Sequence, residues 1–444
     1  MRILVIGESS GRGEPYHPWL SVAQIAAWRL EKVFPGRSIQ VDMWAIGGAI
    51  LESMHKKLAE LTYRPDALMV YVGHNEFQGR YAWMRDVDYY LDDDRVPLGA
   101  QSQKALTSLL RLSPLYQLLD ETRERQRLDS IPPYIVTREL VDRPLCTPAE
   151  AQSIADDFRR RLESIAVYCE SIGTLAIFVI PPGNDADWDP SRSMLAADTP
   201  RFERAAFARE FVHARALEAK DRGEALRTYR VLVNRHPEFA ETHYRLARLL
   251  EESGVWSEAR DHYALARELD GMPLRCPELL RQVYRDVAAV HPSVVLVDGP
   301  KVLEAKSRHG LIDNQFFHDA QHPNLHGYAA LAEDLMKQLG ARRAFSWPAN
   351  QPVPVVDPES CARHFGMGPE QWAQIASRDV WFYRAAAFIR YDPQFRSERA
   401  SEYLRAAALI RAGRAPADAG LPGWAMPPRP ALSHMIPVTR RLEP

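Results

Sequence analysis

The chain has 444 residues, 46% of them hydrophobic, which is enough for two or three domains with their own cores. Its 56 basic and 58 acidic residues leave a net charge of −2, which excludes the strongly basic surface typical of nucleic-acid binding. The four cysteines, at positions 146, 169, 276 and 361, are scattered, so they predict neither a disulfide framework nor a zinc site.

The sequence lacks the patterns of membrane-spanning and secreted proteins. No run reaches the ~18–20 apolar residues that a membrane span needs. The first residues lack the charged segment and apolar stretch of a signal peptide. We therefore expect a soluble, cytoplasmic protein that binds neither membrane nor nucleic acid.

Short apolar segments alternate with helical periodicity, a pattern typical of a parallel, doubly wound sheet. Strands are predicted at residues 2–6, 38–44, 67–72, 174–180 and 293–298. A long helix is predicted over 147–171, where Thr147 and Glu150 suit a capping box. Further helices are predicted over 277–290 and from Pro323, which suits a first helical turn. Residues 81–145 are predicted to form a long, partly helical excursion.

Residues 205–270 are helical in pattern and contain an internal repeat. Ala225 and Tyr229 recur as Ala259 and Tyr263, each 34 residues later, a period that resembles the tetratricopeptide repeat. About two units are visible, fewer than the roughly three that such arrays need alone. We therefore predict a helical insertion over 201–271 that leans on its neighbours. Its groove suits a protein or carrier partner, and a structural lid or a dimer contact is the alternative.

The α/β pattern on both sides of the insertion predicts one discontinuous domain, 1–200 and 272–342. A linker and helical extension follow over 343–413, and the proline-rich residues 414–444 are predicted to be irregular. The predicted fold class is a flavodoxin-like, three-layer α/β/α sandwich. Its five parallel strands are expected in the order 2-1-3-4-5.

Four polar blocks fall where predicted strands end or where the last helix begins. They are Gly7-Glu8-Ser9, Gly47-Gly48, Gly73-His74-Asn75-Glu76 and Asp319 with His322. Since the carboxyl ends of parallel strands meet at one edge, these blocks are expected to share a site. A serine is inert without a base, which a histidine with an orienting carboxylate can supply. A turn or helix-cap role remains the alternative for Ser9. Ser10 is the alternative nucleophile, but it is expected to cap the following turn.

Serine, glycine, asparagine and histidine in this order resemble the SGNH hydrolase superfamily, also called GDSL-type esterases. The resemblance covers about residues 1–80, 147–182 and 274–340. It implies that Ser9 is the nucleophile, His322 the general base and Asp319 the group that orients the imidazole.

The resemblance also implies an oxyanion hole. Its donors would be the N–H groups of Ser9 and Gly48, with Gly47 as the alternative, and the side-chain amide of Asn75. The chain departs from the family pattern at three positions. Glutamates stand at positions 8 and 76 where the family has aspartate, and a methionine at position 43 replaces a frequent asparagine. None of these changes removes a group that the mechanism needs.

The substrate pocket is predicted from loops that border the same edge. Its candidate residues are Gly47, His74, Phe77, Arg80 and Asn184. A rigid surface loop is the alternative for the segment after the fourth strand.

A metal site is the alternative for the run that contains His318, His322 and His326. The last two would share a helical face at i, i+4, but the glutamate of zinc peptidases is missing between them. We expect neither a metal nor a cofactor.

The predicted activity is hydrolysis of a carboxylic ester, such as a short acyl or acetyl ester, through an acyl-enzyme. Acyl transfer or thioester hydrolysis on a small or carrier-bound substrate is the first alternative. The second is an interaction protein whose hydrolase domain is vestigial.

Overall fold

The structure, a computed structural model, describes residues 1–77, 113, 147–196, 198–388 and 394–421. The excursion predicted over 81–145, apart from residue 113, and most of the predicted tail lie outside these residues. Five strands form one parallel sheet in the order β2-β1-β3-β4-β5, which confirms the predicted fold class. They are β1 (Arg2–Gly7), β2 (Gln40–Met43), β3 (Ala67–Tyr71), β4 (Leu175–Ile180) and β5 (Val295–Asp298).

Helices cover both faces of the sheet and continue beyond it. Before β5 these are α1 (Ser9–Arg12), α2 (Val22–Val33), α3 (Leu51–Lys57), α4 (Pro148–Ile172), α5 (Arg201–Glu218), α6 (Arg222–Arg235), α7 (Ala240–Glu252), α8 (Trp256–Glu268) and α9 (Glu278–Val290). After β5 they are α10 (Gly299–Lys306), α11 (Leu325–Ala341), α12 (Pro358–His364), α13 (Pro369–Phe388) and α14 (Gln394–Arg411).

Successive residues of β1 point into two different cores. Ile3 and Val5 belong to the apolar cluster that includes α2 and α11, whereas Leu4 and Ile6 belong to the cluster that includes α4 and α9. Side chains alternate across a strand, so a strand buried on both faces reads as a continuous apolar run. This division produces the three layers of the domain.

The starts of two helices test the capping predictions. At α4, Thr147 accepts a hydrogen bond from the N–H of Glu150, and the Glu150 carboxylate accepts one from the N–H of Thr147. The predicted capping box is therefore confirmed. The expectation for Pro323 was wrong. Asn324 is the N-cap of α11, its side chain accepting from Gly327 N, so the proline precedes the helix.

Helices α5 to α8 lie in the chain between β4 and β5 and share one apolar cluster. The repeated residues Ala225 and Tyr229 on α6, and Ala259 and Tyr263 on α8, are all buried in it. Each tyrosine hydroxyl also donates to a glutamate of the preceding helix. The assignment to the tetratricopeptide class and the predicted domain boundaries stay predictions.

The C-terminal helices share a core with the sheet. Tyr403 of α14 and Trp372 of α13 lie in the same cluster as Ile3 and Val5 of β1. Within the described residues, no helix combines the length and the apolar character that crossing a membrane requires.

Candidate active site

Ser9 follows β1 at the carboxyl edge of the sheet and begins the short helix α1. Gly7, two residues earlier, permits the close approach of β3: a Cβ at this position would lie 2.2 Å from the carbonyl oxygen of Tyr71. Ser9 Oγ lies 2.8 Å from His322 Nε2, and the serine retains 8% exposure. The hydroxyl of this largely buried serine is therefore within hydrogen-bond reach of an imidazole.

His322 is held by Asp319 through a carboxylate that uses both of its oxygens. Asp319 Oδ2 lies 2.7 Å from His322 Nδ1, while Oδ1 accepts hydrogen bonds from the N–H groups of Gln321 and His322. A carboxylate oxygen can only accept a hydrogen bond, so His322 Nδ1 carries the proton that it donates to Asp319. His322 Nε2 is then free of a proton and can accept a hydrogen bond from Ser9 Oγ.

Two opposing effects act on the pKa of His322. Burial lowers it, but the charge and hydrogen bond of Asp319 outweigh burial and raise the pKa above the ordinary value. The three side chains thus form a hydrogen-bonded chain from hydroxyl to imidazole to carboxylate. Such a chain can remove a proton from the serine and stabilise the imidazolium that results.

The candidate oxyanion donors lie around the same edge. Gly48 adopts a left-handed conformation (φ +74°) in an exposed turn, where a side chain would be strained. The Asn75 amide donates to the carbonyl oxygen of Ala49 at 3.3 Å, which ties the turn after β2 to the loop after β3. Ser9 occupies the first position of α1, where an N–H has no intrahelical acceptor.

Glu8 fixes the position of the loop after β3. Its fully buried carboxyl group accepts hydrogen bonds from the N–H groups of His74, at 3.0 and 3.1 Å, and of Asn75, at 3.2 Å. Burial raises the pKa of Glu8 to about 8, although the hydrogen bonds from these N–H groups act to lower it. The residue therefore holds Asn75 beside Ser9. The sequence shows an acidic residue at position 8, but no sequence pattern indicated that Glu8 holds the loop after β3.

The loop after β3 is also held from its other end. Glu76 accepts from the N–H of Leu51, at 2.7 Å, at the start of α3. The buried Glu8 and the half-buried Glu76 thus connect the three blocks that follow β1, β2 and β3. Burial raises the pKa of Glu76 to about 7.

The predicted pocket residues occupy different environments. Gly47 is exposed and borders an open cavity of ≈ 440 Å³ together with Gly48. Phe77 is buried in the core beside α3 and α4. Arg80 lies outside the described residues. The pocket assignment stays a prediction.

His74 faces the protein interior. Its Nδ1 accepts a hydrogen bond from the N–H of Cys276 at 2.9 Å. Burial, reinforced by the positive charges of Arg281 and Arg275 and by His322, holds the pKa of His74 well below its ordinary value. His74 is therefore a neutral imidazole that supports the loop.

Asn184 is fully buried behind the loop that carries Asp319 and His322. Its amide donates to the side chain of Asn314, at 2.8 Å, and to the carbonyl oxygen of Asp319, at 3.1 Å. Its own N–H donates to the carbonyl of Ala320 at 2.9 Å. These contacts stabilise the conformation of the loop and leave this side chain away from solvent.

The structure differs from two further expectations. Ser10 was expected to cap a turn, but its hydroxyl donates to the carbonyl oxygen of Gln321 at 2.9 Å and so supports the His322 loop. The metal alternative required a shared helical face for His322 and His326, but α11 begins only at Leu325. Among the described residues, no group of three or more histidine, cysteine, aspartate or glutamate side chains is placed to hold a metal ion.

A second buried histidine lies beside the first. His318 Nε2 is 2.7 Å from the Tyr16 hydroxyl, and its Nδ1 is 3.2 Å from Asp379 of α13. Its carbonyl oxygen accepts from the hydroxyl groups of Tyr383, at 2.9 Å, and Tyr403, at 3.0 Å. Burial lowers the pKa of His318 to about 3, so the ring is neutral.

The C-terminal helices therefore contact the candidate site directly. The N–H of His318 donates to the carbonyl oxygen of His322 at 3.0 Å, so the tyrosines of α13 and α14 support the backbone that carries the base. The Phe382 ring meets His322 edge to face, with centroids 5.1 Å apart. No local pattern marks these residues in the sequence, because their partners are separated from them by tens to hundreds of residues.

No protein-family model matches the sequence, and no curated protein matches it. A search of solved structures finds chains with some similarity to this one. One is an α/β hydrolase enzyme from the metagenome of Lake Arreo, Spain, at 13% identity and a TM-score of 0.32, covering 76% of this chain and 94% of that one. Another is an acetylxylan esterase from Geobacillus stearothermophilus, at 12% identity and a TM-score of 0.32, covering 79% of this chain and 97% of that one. Both neighbours are hydrolases. At these values the likeness gives no information about the reaction of this chain.

Proposed function

We propose that the protein is a serine hydrolase that cleaves a carboxylic ester through an acyl-enzyme. The observation that carries the proposal is the continuous chain from Ser9 Oγ to His322 Nε2, 2.8 Å, and from His322 Nδ1 to Asp319 Oδ2, 2.7 Å. Nucleophile and base at hydrogen-bond distance, with the base oriented by a third group, is the arrangement that nucleophilic catalysis requires.

In the first half-reaction, Ser9 Oγ attacks the ester carbonyl carbon while His322 Nε2 takes the hydroxyl proton. The negative charge moves to the carbonyl oxygen, where the N–H groups of Ser9 and Gly48 and the amide of Asn75 would stabilise it. Loss of one such donor typically costs ~10²–10³ in rate. The tetrahedral species then collapses: the C–O bond to the alcohol breaks, and the alcohol leaves with the proton from His322.

In the second half-reaction, a water molecule attacks the acyl carbon of the Ser9 ester and gives its proton to His322. Collapse of the second tetrahedral species returns that proton to Ser9 Oγ and releases the acid. An alcohol or amine in place of water would complete an acyl transfer by the same steps. A short acyl ester is the substrate that we propose, with the cavity beside Gly47 and Gly48 as the place for one end of it.

Labelling with a fluorophosphonate probe tests this function. The probe forms a bond to an activated serine oxygen and loses fluoride, so the wild-type protein should be labelled and Ser9→Ala should not. Ser10→Ala is the matched control, because Ser10 contacts the same loop but not His322. It should be labelled within tenfold of the wild-type rate.

Two results would contradict the proposal: an unlabelled wild-type protein, or equal labelling of Ser9→Ala. Esterase activity that persists in Ser9→Ala and disappears with a chelator would instead favour metal chemistry. Competition between water and an added alcohol, read from the products, would then separate hydrolysis from acyl transfer.

A further inference from the structure

A phenylalanine of the C-terminal helices lies against the proposed base. The Phe382 ring, on α13, meets the His322 imidazole edge to face, with centroids 5.1 Å apart. Neither ring is sealed from solvent, since the His322 side chain keeps 10% exposure and Phe382 is half-buried. Both nitrogens of the imidazole are already in use, Nε2 by Ser9 and Nδ1 by Asp319. Phe382 therefore adds an apolar surface to the border of a site whose other groups are polar.

The position of the Phe382 ring is fixed from behind. Its centroid lies 5.9 Å from that of Trp188, which is fully buried in the loop after β4. Arg396 of α14 packs on Trp188, with Cζ 4.3 Å from the ring centroid, and pairs with Asp189 at 2.9 Å. Ring contacts and a cation over a ring favour one arrangement of the side chains. We therefore expect Phe382 to keep its place when a substrate enters.

The proposed chemistry decides which part of an ester lies beside the imidazole. His322 Nε2 gives its proton to the leaving alcohol oxygen, so this oxygen must come within hydrogen-bond reach of Nε2. The carbonyl oxygen points instead to the proposed donors on Ser9, Gly48 and Asn75, because the negative charge develops there. The alcohol part of the ester is thus the neighbour of the imidazole, and of the Phe382 ring that contacts it.

We infer that Phe382 forms part of the binding site for the alcohol group of the ester and favours apolar alcohols, in particular those with an aromatic ring. The inference rests on the proposed function and gives it a substrate class, the short-acyl esters of apolar alcohols. An apolar group that covers Phe382 removes both surfaces from water, and two aromatic rings in contact add to this gain. The cavity beside Gly47 and Gly48 is then left for the acyl end. Through α13, the C-terminal helices would take part in selecting the substrate.

Two acetate esters of primary alcohols, benzyl acetate and ethyl acetate, test the inference through the ratio of their kcat/KM values. The two alcohols are similar leaving groups, so the ratio reports mainly on binding of the alcohol part. We expect the wild-type protein to favour the benzyl ester at least ~10-fold, and Phe382→Ala to lose most of this preference. Both esters are measured on the same protein, so any effect of the substitution on His322 that they share cancels in the ratio.

Phe365→Ala is the matched control. Phe365, at the end of α12, is also a half-buried phenylalanine, but its ring contacts Trp28 of α2, with centroids 5.9 Å apart. This variant should keep the wild-type ratio. Where Phe382→Ala does not fold, Phe382→Leu replaces it. Leucine keeps the apolar volume but not the ring, so the benzyl-to-ethyl ratio should fall by ~3-fold.

A second pair of esters, ethyl phenylacetate and ethyl acetate, varies the acid instead of the alcohol, and Phe382→Ala should leave this ratio unchanged. Three results would each overturn the inference: no benzyl preference in the wild type, an unchanged benzyl-to-ethyl ratio in Phe382→Ala, or a larger change in the phenylacetate ratio. A wild-type protein that fluorophosphonate does not label would remove the proposed function and this inference together. Normal labelling with an unchanged benzyl-to-ethyl ratio would remove this inference alone.

Discussion

Replacement of Asp319 by asparagine tests whether this carboxylate determines the tautomer of His322. Oδ1 of Asp319 accepts from two main-chain N–H groups, those of Gln321 and His322. In Asp319→Asn, the amide oxygen must remain at this position, because an NH2 group there would face two donors. The NH2 group is then placed at the Oδ2 position, opposite His322 Nδ1.

The consequence is a change of tautomer. Nδ1 would accept from the amide, the proton would move to Nε2, and Nε2 could no longer accept from Ser9 Oγ. In serine hydrolases with this arrangement, the corresponding change lowers kcat by ~10⁴, or about 5.5 kcal/mol of activation free energy. The hydrogen bonds to the loop backbone are retained, so the folding free energy should change by less than about 1 kcal/mol.

The assay is the initial rate of hydrolysis of an aryl acetate, together with the rate of fluorophosphonate labelling. Asp313→Asn is the matched control, because Asp313 lies in the same loop region and accepts from Gln315 N at 2.8 Å. Its kcat should stay within tenfold of the wild type. A kcat for Asp319→Asn that is also within tenfold, in a protein with unchanged Tm, would refute the tautomer argument.

Two further predictions concern protonation and the oxyanion loop. His322 must be neutral to accept the serine proton, and Asp319 raises its pKa. We therefore expect kcat/KM to fall tenfold per pH unit below an apparent pKa that lies above about 6.5. A pH–rate profile with its half-point below pH 6 would contradict this prediction. Glu8→Ala removes the carboxyl group that receives the N–H groups of His74 and Asn75, so kcat should fall by ~10²-fold with little change in KM. Glu31→Ala, at an exposed position of α2, is the control and should retain kcat. Equal kinetics in the two variants would contradict the role assigned to Glu8.

The sequence predicted the sheet closely because its information is local. Apolar runs, turn residues and caps lie within a few positions of one another, so all five strands were located within a few residues. The strand order was predicted as part of the flavodoxin-like fold class that the pattern indicated, and the structure has that order. The same logic placed Ser9, Asn75 and His322 at one edge, and the structure brings them there.

The start of α11 shows the limit of local signals. Pro323 and Asn324 both suit the beginning of a helix, and the hydrogen bond that the Asn324 side chain accepts from Gly327 decided between them. Ser10 shows the same limit over a longer distance. Its hydroxyl bonds to a residue 311 positions away, and no neighbouring pattern reports such a partner.

By itself, the sequence determined the layers of the domain and the three side chains proposed for the chemistry. Only the tertiary structure decided what holds them: Glu8 beneath the Asn75 loop, Asn184 behind Asp319, and the C-terminal helices around His318. The physical reason is that burial and hydrogen-bond partners are properties of the packed chain. A residue type and its neighbours in sequence fix what a side chain can do, while its neighbours in space fix its charge, its orientation and its partner.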